Sequence, residues 1–199
     1  MVKGLNFICE NRNYALDRNG IEYSAIKFTR TEDSISGKKD VNENIFSKSF
    51  SFTIWLKFQE EIGEITGNLF DLYDQIKGHR FIFERRKNKI YFCYYAKNDE
   101  FLLESYAQKQ YDKKWIHVAF TYDSRKKSVI SYLDGIKNQN FTWNEKIPEE
   151  KKIKNIHFGK DLNNAYFHFS DFMIFNRALE PDEVDTIKNM PSSLAIDNI

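Results

Sequence analysis

A chain of 199 residues, 41% hydrophobic and 16% aromatic, carries enough apolar material for one sizeable core, which excludes a wholly disordered chain. Its 30 Lys and Arg balance 29 Asp and Glu, and a net charge of +1 gives no global field to gather nucleic acid or an anionic membrane. No apolar run reaches the ~18 residues of a spanning helix, so membrane insertion is not expected.

Met1 to Asn6 lack the apolar stretch of a secretory signal, which leaves a cytoplasmic chain or a piece of a longer or processed one. Cys9 and Cys93 have no CxxC partner, and Cys93 lies in an apolar run. Two reduced, buried thiols are expected, with one disulfide as the alternative.

In chain order, Ser24 to Phe28 reads as the first clear strand. Phe50 to Phe58 alternates strictly, with Phe50, Phe52, Ile54, Leu56 and Phe58 on one side, which is the period of a half-buried strand. Asn68 to Leu72, Arg80 to Glu84 and Ile90 to Tyr95 follow, with a hairpin turn over Arg86 to Lys89. Trp115 to Tyr122 and Val129 to Leu133 form an antiparallel pair joined by Asp123 to Lys127. Asp134-Gly135 is a dipeptide suited to a tight hairpin. Ile153 to Phe158 and Ala165 to Phe175 are the last strands.

One stretch reads as helix. Pro181 suits its first position, Asp182 and Glu183 suit the positive end of its dipole, and it ends near Asn189. Many short strands, one helix and no βαβ alternation predict an all-β jelly-roll sandwich of two antiparallel sheets. A single domain over 1–190 with a frayed tail over 191–199 is expected.

The pieces Phe50 to Lys57, Trp115 to Asp123, Tyr132-Leu133-Asp134-Gly135, Phe158-Gly159, and Asp171 to Leu179 followed by Glu183-Val184 stand in a recognisable order and spacing. In them the chain resembles the laminin-G-like (LamG) branch of the concanavalin A-like lectin/glucanase superfamily, over about residues 24 to 189. The resemblance implies that Trp55 and Trp115 are core anchors and that His117 is a packed, hydrogen-bonded structural histidine. It implies that Asn176 and Arg177 fix the turn into the helix. Some members of the family bind calcium through acidic side chains and loop carbonyls. Here Ser170 stands where a first Asp is usual, which leaves Asp171 as the candidate calcium ligand.

Function is expected to be non-catalytic recognition, first of all of a glycan, with a surface protein as the other partner class. The alternatives are a protein-interaction or structural domain of a bacterial or phage surface, toxin or tail protein and, after it, a glycoside hydrolase. Sugars stack their C–H faces on aromatic rings with polar groups at the rim. Tyr73, Tyr94, Tyr95 and Trp143, with Asp74 and His79, are the candidate ligand-binding residues. Hydrolysis of a glycosidic bond needs two flanking carboxylates. Glu180-Pro181-Asp182-Glu183-Val184-Asp185 mimics a glucanase spacing, but its proline and its place after Asn-Arg-Ala-Leu put it on the terminal helix. Phe81-Ile82-Phe83-Glu84 carries one lone acid. His157 and His168 would meet only if their strands pair, and no third zinc ligand is visible. The basic turns at Arg85 to Lys89 and Lys126-Lys127 read as solvated hairpin tips, so no nucleic-acid role is expected. The resemblance implies an extracellular or cell- or virion-surface location, and the Lys-, Asn- and Ile-rich composition suits a bacterial or phage source.

Overall fold

A computed structural model of the chain describes residues 6–10, 13–29, 33–38, 48–59, 66–74, 79–86, 89–96, 99–106, 113–142, 155–159 and 166–192. Two sheets account for nearly all of it. The first runs, in spatial order, β1 (Asn6–Glu10), β4 (Ser34–Lys38), β13 (Asn155–Phe158), β6 (Thr66–Asp74), β7 (His79–Arg86), β8 (Lys89–Ala96) and β9 (Asp99–Tyr106). The second runs β12 (Ile136–Thr142), β11 (Ser128–Leu133), β10 (Trp115–Asp123), β5 (Phe50–Phe58), β14 (Phe167–Phe175), β3 (Ala25–Phe28) and β2 (Tyr14–Ala15). Neighbouring strands are antiparallel, as in a jelly-roll sandwich.

The core lies between the sheets and follows from alternation. Phe50, Phe52, Ile54, Leu56 and Phe58 of β5 and Ile116, Val118 and Phe120 of β10 face Phe70, Phe81, Phe83 and Phe92 of the first sheet. The Phe52 ring is central: its centroid lies 5.1 Å from Phe70, 5.8 Å from Phe83, and 5.3 Å from each of Phe92 and Phe120. Aromatic pairs at such distances contribute about 0.5–1.5 kcal/mol each beyond area burial.

The helix α1 (Pro181–Asn189) packs on the outer side of the second sheet, where Leu179, Val184 and Ile187 cluster with Ala119, Tyr132 and Phe175. Pro181 opens it, and Glu183 accepts the Glu180 backbone N–H at 2.9 Å while taking both arms of Arg177 at 2.6 Å. Arg177 therefore does fix the turn into the helix. Asp134 and Gly135 both have positive φ, +50° and +79°, the requirement of a two-residue type I′ hairpin.

Two expectations about sulfur and imidazole meet the fold differently. Cys93 is a buried thiol that donates to Glu84 Oε1 at 3.2 Å. His157 sits on β13 of the first sheet and His168 on β14 of the second, so their strands do not pair and the two-histidine arrangement is overturned.

Candidate ligand-binding site

The strict alternation of β5 that buries its phenylalanines turns Ser51, Thr53, Trp55 and Lys57 to the opposite side. Register places Trp55 beside His117 of β10 and Ser170 of β14, and Lys57 beside Trp115 and His168. Trp55 and Trp115 are thus half-buried on the outer face of the second sheet, and their expected role as core anchors is corrected. Position 55 stands one residue out of phase with the core row, so a tryptophan there cannot enter the core.

Between Ser170 and Met173, β14 carries a bulge in which Asp171 and Phe172 oppose the single residue Ile54. Asp171 has φ +49°, a left-handed conformation that aspartate tolerates better than bulkier residues. The bulge sends Phe172 against Phe70 and Phe158 in the core, while the Asp171 carboxylate meets the Arg18 guanidinium. Ser170 Oγ donates to the same oxygen at 3.1 Å.

Arg18 reaches this point because Asp17 folds the β2–β3 connection around its own carboxylate. Asp17 Oδ1 accepts the N–H of Asn19 at 2.8 Å and of Ile21 at 2.9 Å, and Gly20 adopts φ +78°. Besides Asp171, the guanidinium donates to the Met190 carbonyl, beyond the end of α1, and its carbon stands 4.6 Å from the Trp55 ring centroid. One side chain therefore ties the chain's early connection, the β14 bulge and the end of α1 together.

His117 lies beneath, 5.3 Å from the Trp55 ring, with its backbone N–H donating to Asp134 Oδ1. Burial, with the Arg18 and Lys188 charges adding to it, pushes its pKa down to about 3. Its ring is therefore neutral, and its Nδ1 finds no hydrogen-bond partner among the described residues. The residue is packed against Trp55 as expected, but the hydrogen bonds that hold it are those of its backbone, with Asp134.

Above these residues opens a groove of about 390 Å³. Arg18, Trp55 and Trp115 line one part of it, and Lys188, Asn189 and Met190 from the end of α1 line another. Apolar ring faces beside cations and a carboxamide suit a polar ligand with an apolar face.

The site does not fit calcium. A cation at Asp171 would have to displace a guanidinium already seated on the carboxylate, and no group of three or more metal-binding side chains occurs among the described residues.

Five of the six sequence-predicted ligand residues fall on the other sheet. Tyr73 and Asp74 close β6, His79 opens β7, and Tyr94 and Tyr95 stand on β8. Register pairs Asp74 with His79 and aligns Tyr73, Arg80 and Tyr95 in one row, so four of the expected residues share one end of the first sheet. Tyr94 shares its row with the core residue Phe81. Trp143 lies outside the described residues. The acids that mimic a glucanase spacing do fall on α1: Glu180 at its cap, Asp182 and Glu183 in its first turn. Sequence reasoning missed Arg18, Lys188 and Asn189, whose approach to Trp55 depends on long-range packing. The outward phase of Trp55 was the available signal.

A family model of the concanavalin A-like lectin/glucanases superfamily, for laminin-G-like domains, matches residues 32–185. No curated protein matches the chain in sequence. Among solved structures, the chain is similar to the receptor binding domain of botulinum neurotoxin D, with a TM-score of 0.75 and 19% identity over 92% of this chain and 47% of that one. It is also similar to the binding domain of botulinum neurotoxin DC. In complex with rat synaptotagmin II, that domain gives a TM-score of 0.76 at 17% identity, over 93% of this chain and 46% of that one. In complex with SialylT it gives a TM-score of 0.75 at 17% identity and the same coverage. The chain thus spans a little under half the length of these toxin domains. The likeness is one of fold.

Proposed function

This chain belongs to the concanavalin A-like lectin/glucanases superfamily, and on that premise we propose that it is a non-catalytic recognition module that binds a glycan in the groove over Trp55 and Trp115. The observation that carries the proposal is two half-buried indoles on an outer sheet face, beside a fixed guanidinium and the Asn189 carboxamide. Sugar rings stack on indole faces such as that of Trp115, the Trp55 ring being covered in part by Arg18, and polar groups fixed by their neighbours select among hydroxyl patterns. The similar toxin domains are receptor-binding modules, and this supports a binding role over a catalytic one. So does the placement of the glucanase-like acids on α1. An extracellular or surface location accords with this role.

A second reading places the ligand at the end of the first sheet, where Tyr73, Arg80 and Tyr95 share a register row. A protein partner is the other alternative, supported by the synaptotagmin complex of a similar domain. A glycan-array screen of wild type and of Trp115→Ala, run with calcium and with EDTA, separates the readings. Hits insensitive to EDTA and lost in Trp115→Ala are expected. Hits retained in Trp115→Ala but lost in Tyr95→Ala would move the site to the first sheet. An absence of hits would favour a protein partner.

A further inference from the structure

The outer face of the second sheet continues past Trp115 as a row in which two lysines flank a histidine. Register sets Lys27 of β3, His168 of β14, Lys57 of β5 and Trp115 of β10 side by side. Adjacent strands are ~4.8 Å apart, so the Lys27 and Lys57 backbones stand ~10 Å apart astride His168. Lys113 and Lys114, both exposed, lead directly into Trp115. None of these four lysines has an ion-pair partner among the described residues, and Asp171, the acid in the bulge of β14, is engaged by Arg18. A chain of net charge +1 has thus gathered unpaired positive charge beside its aromatic groove.

His168 sits within this charge as a neutral group. Burial first, then the Lys27 and Lys57 charges, push its pKa down to about 4. Its Nε2 lies 2.7 Å from the Gln59 carboxamide, its ring 6.3 Å from that of Trp115, and its buried Nδ1 has no hydrogen-bond partner among the described residues.

We propose that this row receives the acidic substituent of a saccharide, a sulfate or carboxylate seated between Lys27 and Lys57 with the sugar ring on Trp115. The inference rests on the glycan reading above and specifies the ligand class. The argument is charge complementarity. Lys27 and Lys57 share a register row with Trp115, and Lys113 and Lys114 precede it in the chain. None of the four has an acidic partner among the described residues, and an acidic sugar supplies both an anion and a ring.

The test uses titration calorimetry with four probes: dextran sulfate and sialyllactose, and their neutral counterparts dextran and lactose. The variants are Lys27→Gln/Lys57→Gln and, as a control at the far end of β10, Lys126→Gln/Lys127→Gln. At least one acidic probe is expected to bind about tenfold or more tighter than its neutral counterpart, and to weaken as salt rises. Lys27→Gln/Lys57→Gln is expected to weaken that probe about five- to tenfold and leave neutral binding unchanged, while the control pair changes neither. Dextran sulfate alone would identify sulfate as the anion, and sialyllactose alone a carboxylate. Equal weakening by both lysine pairs would overturn the proposal as non-specific charge attraction. Acidic and neutral probes binding alike would overturn it and leave the glycan reading standing. If none of the four binds, the proposal falls, and the array screen decides separately whether the glycan reading falls with it.

Discussion

The carboxylate of Asp171 and the guanidinium of Arg18 form a buried ion pair across 153 residues of chain, on the outer side of the sheet rather than in the core. The Asp171 side chain is 5% exposed and that of Arg18 8%, so either charge would be poorly solvated if its partner were removed. Arg18→Met should therefore cost about 3–5 kcal/mol, because it strands a buried carboxylate. Pairing it with Asp171→Asn should recover much of that loss, since asparagine tolerates the positive φ of the bulge. Urea denaturation of the two single variants and the double variant measures the coupling. Additive losses would mean that the pair does not hold the groove together.

The second anchor of the helical end is a hydroxyl. Ser51 Oγ donates to the Arg177 carbonyl at 2.9 Å and accepts the Leu179 N–H at 3.0 Å, which fixes the chain entering α1 onto β5. Ser51→Ala leaves both backbone groups without their partner, at a cost of about 1–3 kcal/mol. Amide hydrogen exchange should show faster exchange at Leu179 than in wild type. Unchanged protection there would remove Ser51 from this role.

The buried imidazole gives a pH dependence with a defined sign. His117 has its pKa pushed from 6.5 to about 3 in the folded protein. Below pH 6.5 the unfolded chain takes up a proton that the folded chain refuses, so stability is full above that pH and falls as pH drops toward 3, by up to about 1.4 kcal/mol per unit. His168, lowered to about 4, acts in the same direction. Denaturation midpoints at about pH 7.5 and about pH 5.5 should differ less for His117→Gln than for wild type. Equal differences would show that the ring titrates normally.

Two glycines with the same backbone sign should respond differently to alanine. Gly159 has φ +78°, and a Cβ there would stand 2.6 Å from the Asp33 carbonyl oxygen and 2.7 Å from the Phe28 ring. Gly20 also has φ +78° but open space around it. Gly20→Ala should cost about 1–2 kcal/mol of conformational strain alone, and Gly159→Ala distinctly more because packing must also move. Similar melting temperatures for the two variants would contradict the close approach at Gly159.

Much of the fold was legible because β5 alternates in the open, with Phe52 at the expected phase, and because the segments of β10, β11 and β14 read as strands. The helix was legible to its ends from Pro181, its acidic first turn and the following Pro191. Strands β1, β2, β4, β9 and β12 were not named in advance. Ser-Ile-Ser-Gly-Lys and Ile-Lys-Asn-Gln-Asn-Phe-Thr carry little apolar signal, and their pairing is imposed by neighbours. The groove was hidden for a related reason. Trp55 and Trp115 belong to framework motifs, and a family motif does not say which face of a strand a residue takes. Arg18 and Lys188 lie at opposite ends of the sequence, and only the packing of α1 on the second sheet brings them to one pocket.

The most direct test of a glycan site over the two indoles is titration calorimetry of one array-identified glycan against Trp115→Ala and Tyr95→Ala, each checked for a wild-type melting transition. Loss of about tenfold or more in affinity for Trp115→Ala, with Tyr95→Ala unchanged, is the predicted result. Wild-type affinity in a folded Trp115→Ala protein would contradict it.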